Sequence, residues 1–247
     1  MTHQLFLGDP AAVAEVVVGS SLLLDGDEGR HAAAVVRLRP GEHYFVADGA
    51  GRRVLLEATD VDRAWVRGRV LGVADEPEPA PRLVLVQALA KGDRDEQAVE
   101  AATELGVDEV VPWQAERSVV VWRGDRAVKS LAKWAAVVVR ATKQARRARM
   151  PVTSPAVGLE PLVARVEASA LTLVLHEDAT EPLASVVLPE AGDVLVVVGP
   201  EGGITGRELE ALTAAGARAV RLGSTILRAS SAGPAALAVL SARTRWT

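Results

Sequence analysis

The sequence contains no cysteine, which removes disulfides, thiolate metal sites and cysteine nucleophiles together. Its four histidines, His3, His31, His43 and His176, are scattered, and none sits at metal-ligand spacing. No apolar run reaches the roughly 20 residues that a bilayer-spanning helix needs. The start, MTHQLFLGDP, lacks the basic-then-apolar layout of a secretion signal. Two phosphate-cradling motifs are also absent: no Gly-Lys-Ser/Thr follows a glycine loop, and the GxGxxG pattern is not met. A soluble, cytoplasmic protein that needs no metal and has no membrane partner is the expectation.

What is present is enough apolar material for a large core. Hydrophobic residues make up 49% of the 247, and a chain of this length fits one large or two modest domains. The net charge of −4 argues against a general nucleic-acid coat, but local charge outweighs the total. From Arg140 to Arg149 the chain reads RATKQARRAR, five cations with no acid.

The texture of the sequence changes near residue 75. Before it, short apolar runs such as AEVVVG, GEHYFVADGAG and RRVLLEATDVDRAWVRGRVLGV are broken by turn signals, which predicts a small β-barrel or sandwich over residues 1–74. One helix is expected within it, from Asp27 to Arg37 with Asp27 as N-cap. Residues 75–81, rich in proline and acid, read as a linker. From residue 82 to 247, LVLVQAL, LTLVLHE and DVLVVVGPE are continuous apolar runs, as in parallel strands buried on both faces. Segments with helical spacing separate them, so the second domain is predicted to be α/β with a mainly parallel sheet.

Ligands of such sheets bind outside the carboxyl ends of the strands. Three loops qualify: His176-Glu177-Asp178, Gly199-Pro200-Glu201-Gly202-Gly203, and Leu222-Gly223-Ser224 leading into TILRASSAG. The middle loop is followed by Thr-Gly-Arg-Glu, a capping box from Thr205 to Glu208 that starts a helix and leaves free N–H groups for an anion. In the third, Ile226 and Leu227 read as core residues. Arg228 follows them, either pointing to water at a helix start or meeting an anionic partner.

Four linked stretches carry a family resemblance: KGDRDEQAVEAATELGV before VPWQAERSVV, KWAAVVVRATKQARRARMP, GPEGGIT with an acid three residues later, and LGSTILRASSAG. In this order and spacing they resemble the bacterial 16S rRNA uridine N3-methyltransferase family of the SPOUT superfamily. The resemblance implies a trefoil-knotted α/β methyltransferase domain preceded by a PUA-like, RNA-binding β-barrel. It also implies a homodimer, S-adenosylmethionine as cofactor, and 16S rRNA within the small ribosomal subunit as substrate. Carried over by motif, Leu175, His176, Glu177, Gly199, Pro200, Gly202 and Gly203 hold the cofactor, and Leu222, Gly223, Ser224, Ile226 and Leu227 close its pocket. The family often shows Leu-Arg-Thr-Glu-Thr-Ala where this chain has LRASSAG. Arg228 is kept, Ser230 stands in the place of the acid, and no general base is expected there.

Methylating uracil N3 requires loss of its imide proton and stabilisation of charge on the ring oxygens. Arg228 is the expected stabiliser, with Ser230 or Ser231 positioning a water. Glu201 is read either as a proton acceptor or as an acid complementing a helix N-terminus, and His176 either as a base or as structural. The cations Arg140, Lys143, Arg146, Arg147 and Arg149 are the main candidates for RNA contact. Arg30, Arg37, Arg39, Lys91, Arg94 and Arg117 extend that surface, with Arg117 alternatively buried against Glu104 or Glu116. Trp113, Trp122 and Trp134 read as core or dimer interface rather than base-stacking groups. The alternatives to this function are another SPOUT RNA methyltransferase and a non-catalytic RNA-binding protein of the same fold.

Overall fold

A computed structural model describes residues 3–246. Met1, Thr2 and Thr247, which the expected spans 1–74 and 82–247 include, lie outside the described residues. The chain divides into two compact units: residues 1–78 with 142–150, and residues 79–141 with 151–247. The second unit is therefore not one continuous stretch of sequence. Among the described residues no helix is long and apolar enough to cross a membrane.

In the first unit a five-stranded sheet runs in the order β1 (Leu5–Leu7), β3 (His43–Ala47), β4 (Arg52–Val61), β5 (Val66–Asp75), β2 (Ser21–Leu24). Only the β1–β3 pair is parallel. Alternation places Val54, Leu56 and Ala58 of β4, and Val66 and Val70 of β5, on one face with Phe6, Tyr44 and Val46. The run AEVVVG, expected as a strand, is not one. Asp9 caps α1 (Pro10–Glu15) by accepting from the Ala12 N–H at 3.0 Å, with Pro10 in the first turn, and this start carries the chain into a helix. Val13 and Val16 are buried, while Val17 and Val18 are exposed beyond it.

The helix expected to be capped by Asp27 starts earlier, as α2 (Gly26–Arg30) with Asp25 at the N-cap. Asp27 lies in its first turn and pairs with Arg30. The helix then widens into a π-turn over His31–Val36, which Arg37 ends with a left-handed φ of 61°. Gly29 fits this helix closely against the strands: a Cβ there would lie 2.5 Å from the Leu24 carbonyl oxygen and 2.6 Å from that of Ala64.

In the second unit six strands form an all-parallel sheet in the order β11 (Arg218–Val220), β9 (Leu171–Leu175), β10 (Asp193–Val198), β6 (Arg82–Ala88), β7 (Glu109–Trp113), β8 (Val152–Thr153). Leu83, Leu85, Leu173, Val194 and Val196 face Trp134, Val99 and Leu237. These three belong to α4 (Asp125–Gln144), α3 (Arg94–Glu104) and α7 (Ala229–Thr244). Val84, Val86, Val174, Leu195 and Val197 face Leu162 and Leu212, from α5 (Leu159–Ala168) and α6 (Gly206–Ala214). Both faces are covered, as the continuous apolar runs require. Trp113 and Trp134 are fully buried, and Trp122 packs edge-on against Trp134 at 5.5 Å.

Charge gathers at the amino ends of these strands. Glu109 accepts from Ser154 Oγ at 2.6 Å, Arg165 Nη1 at 2.7 Å and Arg82 Nη2 at 3.4 Å, while Arg82 also pairs with Asp193. Burial opposes the Glu109 charge, but the bonds from Ser154 and Arg165 and the nearby arginines outweigh it and hold the carboxyl below its usual range.

Two outcomes are expected. Gly29→Ala should destabilise the protein by about 1–3 kcal/mol through forced backbone displacement, whereas Gly72→Ala, with open space around it, should be close to neutral. Urea unfolding of both variants checks this. Because the folded pKa of Glu109 is lowered, its contribution is complete above about 4.5 and fades as pH falls through the folded value. Glu109→Gln should thus be less stable at neutral pH by about 1–3 kcal/mol and show a flatter loss of stability below pH about 4.5, read from unfolding midpoints against pH.

Candidate active site

The three loops chosen from the sequence meet at the carboxyl edge of the second unit's sheet, where β11, β9 and β10 lie side by side. Two cavities open there, of about 210 and 440 Å³, and share Leu175, His176, Glu177, Ile226 and Leu227 as walls. The smaller is completed by Leu222, Gly223 and Ser224, and the larger by Gly199, Pro200, Gly202 and Gly203. Every residue that the resemblance assigned to the cofactor thus lines one cavity or both. Glu201 and Arg228 line the larger, whereas Ser230, in the first turn of α7, lines neither.

Local chemistry explains the shape. The His176 N–H donates to the Val220 carbonyl at 3.0 Å, continuing the β9–β11 pairing past the end of the strand. Its Nδ1 accepts from the Asp178 N–H at 3.2 Å, so the neutral ring carries its proton on Nε2. After β10, Gly199 folds so tightly that a Cβ would lie 2.6 Å from Ile204 Cγ1. The Gly203 N–H donates to the Pro200 carbonyl at 2.9 Å, with Gly203 at φ 75°, a turn that glycine adopts without steric cost. The Thr205–Glu208 capping box then starts α6 at once.

Ile226 and Leu227 depart from their expected core role. Ile226 is 85% exposed and Leu227 37%, because the segment after Gly223, at φ 69°, passes over the cleft instead of entering the sheet. Arg228 occupies the N-cap position of α7. Its carbonyl accepts from the Ser231 and Ala232 N–H groups at 2.9 Å, and its guanidinium is exposed on the cavity wall.

Two cations expected to extend an RNA surface, Arg94 and Arg117, line the larger cavity. Arg94 Nη1 donates to Glu201 Oε1 at 3.0 Å, and the Lys91 N–H donates to the same oxygen at 3.2 Å. Burial works against the Glu201 charge, but backbone N–H donors and Arg94 outweigh it and keep the carboxyl below its ordinary range. A carboxyl so stabilised is a weak proton acceptor near neutrality. Arg117 Nη1 donates to the Gly202 carbonyl at 3.0 Å. It is exposed, not buried against Glu104 or Glu116 as one expectation had it, because Glu116 is taken by Thr205 and Arg207.

The remaining cations fall in both units. Arg140 is exposed and belongs to the second unit, while Lys143, Arg146, Arg147 and Arg149 belong to the first. Within that unit Lys143 pairs with Glu28, and Arg149 Nη2 donates to the Glu76 carbonyl at 2.8 Å. Arg30, Arg37 and Arg39 are exposed there. Sequence reasoning missed Arg221, Thr225, Ala229 and Ala232 as cavity walls. Ala232 was accessible in principle, since it lies one helical turn beyond Arg228 on the same face.

Residues 76–241 match the family model described as RNA methyltransferase domain. Over 233 residues the chain is 46% identical to the ribosomal RNA small subunit methyltransferase E of Mycobacterium bovis, which covers 92% of this chain and 89% of that protein. The Bacillus subtilis protein of the same name is 28% identical over 229 residues, 90% of each chain. Among solved structures, a ribosomal RNA small subunit methyltransferase E from Neisseria gonorrhoeae bound to S-adenosyl methionine aligns with a TM-score of 0.84 at 26% identity, covering 98% of both chains. A putative methyltransferase from Legionella pneumophila in complex with the same cofactor aligns with a TM-score of 0.82 at 27% identity, again covering 98% of both. With its strand-end loops gathered around one cleft and its sequence matched over most of its length, the chain belongs to the ribosomal RNA small subunit methyltransferase E family of RNA methyltransferases.

Proposed function

We propose that this protein is an S-adenosylmethionine-dependent methyltransferase that methylates N3 of a uridine in 16S rRNA. The observation that carries this reading is the convergence of the three strand-end loops on one pair of cavities. The lining fits such a cofactor: Leu175, Val198, Ile226 and Leu227 offer apolar walls for a nucleoside, while His176 and Glu177 offer polar contacts for its amino-acid tail. The larger cavity, about 440 Å³, lies within the range of small-molecule sites. Glycines at 199, 202 and 203 let a ligand approach the backbone.

When bound, the cofactor supplies a methyl group already activated on a sulfonium, so the chain's own task is alignment and charge stabilisation. Arg228, exposed on the wall of the cavity, offers its guanidinium to the negative charge that develops on the uracil oxygens as the N3 proton leaves. Ser230, in the first turn of α7, lies outside both cavity walls, so the N3 proton passes to solvent and not to a group on this helix. Glu201, held by Arg94 and the Lys91 N–H, serves this step as a fixed carboxylate that orders the loop. His176, with Nδ1 already accepting a hydrogen bond, contributes its backbone to the cofactor site.

The same reading makes the protein a cytoplasmic homodimer with a trefoil-knotted methyltransferase domain and a PUA-like first domain that binds RNA. Large apolar side chains left exposed in the second unit, Ile226, Val187 and Trp246, support a second subunit as their cover. Arg140, Arg146, Arg147, Arg30 and Arg37 form the RNA-facing set, with the small ribosomal subunit as its source of substrate. Lys143, paired with Glu28, and Arg149, bonded to the Glu76 carbonyl, join it.

Nucleoside mass mapping of rRNA from a deletion strain should show a missing 3-methyluridine that the wild-type gene restores. A modification pattern identical with and without the gene overturns the assignment. Arg228→Ala should lower kcat by at least about 100-fold, as loss of a charge-stabilising donor does, while calorimetry with S-adenosylmethionine gives a Kd within about twofold of wild type. RNA affinity should fall steeply with salt. Arg140→Ala should reduce the log–log slope by about 0.7–0.9 if it contacts one phosphate, and titrations at three or more salt concentrations measure it.

A further inference from the structure

The segment that follows β7 meets the β10–α6 connection at two points. Glu116 is fastened to the first turn of α6. Its N–H donates to Glu208 Oε1 at 2.7 Å, and its carboxylate accepts from Thr205 Oγ1 at 2.9 Å and from Arg207 Nε at 2.7 Å. One residue later, Arg117 reaches back along the same connection and donates from Nη1 to the Gly202 carbonyl at 3.0 Å. The Ser118 N–H donates to the Ala115 carbonyl at 3.0 Å and closes the tight turn that presents Arg117. Packing is close at the second point: a Cβ on Gly202 would stand 3.1 Å from Arg117 Cβ.

Three glycines in five residues make the connection flexible by composition, and ordering a flexible loop on binding subtracts from affinity. A charged donor to a carbonyl is among the stronger hydrogen bonds. Here it acts from an element that α6 already holds in place, so the loop is fixed at β10, at α6 and at its middle carbonyl.

We propose that Arg117 is a positioning residue: anchored through Glu116, its guanidinium holds the Gly202 carbonyl and pre-shapes the Pro200–Gly203 turn that receives the cofactor. This rests on the cofactor reading given above, and it differs from a role for Arg117 in contacting RNA phosphate. The brace acts on cofactor affinity, not on the chemical step, and it depends on loop shape as much as on charge. Gly202→Ala, which keeps the guanidinium but crowds Arg117 Cβ, therefore has the same consequence as loss of the arginine.

Calorimetry with S-adenosylmethionine on the ligand-free full chain, paired with kinetics at saturating cofactor, tests this. Arg117→Ala should weaken cofactor binding about five- to tenfold, the loss expected for one charge-assisted bond. Arg117→Lys should recover part of that loss, and Gly202→Ala should weaken binding to a similar degree. For Arg117→Ala, kcat, the KM for RNA and the ligand-free melting temperature should stay close to wild type. Unchanged cofactor affinity together with a raised KM for RNA overturns the brace and makes Arg117 a phosphate contact. A lowered ligand-free melting temperature with no recovery in Arg117→Lys overturns it in favour of a general structural role. Failure of the wild-type chain to bind the cofactor overturns the cofactor reading itself, an outcome distinct from a wild type that binds and an Arg117→Ala that binds equally well.

Discussion

Burial of β6, β9 and β10 on both faces is the constraint from which the rest of the second unit follows. Parallel strands joined by crossover helices must carry apolar side chains on both sides, since helices cover each face. Leu83 and Val84, or Val194 and Leu195, are therefore both buried although they point in opposite directions. A sheet filled in this way is almost wholly apolar inside, with Gln87 of β6 and Thr172 of β9 as buried polar exceptions. Charge and backbone polarity are displaced to the strand ends, where loops leave the sheet and N–H and C=O groups go unpaired by strands.

The two ends are used differently. At the amino ends, Glu109, Arg82, Arg165, Asp193 and Ser154 satisfy one another and close that edge. At the carboxyl ends the charged groups are tied to loops and not to the sheet: Arg94 to Glu201, Arg117 to Gly202, Glu116 to the start of α6. The first network holds strands in register. The second holds glycine-rich connections whose composition gives them little shape of their own. A loop that must bring its backbone close to a ligand cannot be stiffened by side chains of its own, so its rigidity comes from neighbouring elements.

The segment Thr142–Met150 shows the same economy of means in the first unit. Read as sequence, its cations form a uniform basic run. In the fold Lys143 neutralises Glu28, and Arg149 bonds the Glu76 carbonyl and lies against Gly51. Part of the charge thus holds the segment in its unit. Periodicity cannot reveal this role, because the partner of a charged side chain is not written in the string.

The apolar runs, the helical spacings between them and the Thr205–Glu208 capping box are local in origin, and the parallel sheet, its order of helices and the three strand-end loops were legible from them. The motifs around those loops carried the family. Three features were not legible. The close fit of Gly29 in α2 involves the carbonyl of Ala64, 35 residues further along the chain. The exposure of Ile226 and Leu227 depends on the path of a loop over a cleft, which apolar character alone misreads as core. The bond from Arg117 to Gly202 joins residues 85 positions apart. The strands and helices of the second unit could be read locally, because periodicity and capping act over a few residues, whereas AEVVVG and the start of α2 could not. Only the tertiary structure decided which cations are paired and which loops are braced, because those interactions arise between residues that the sheet brings together from distant parts of the chain.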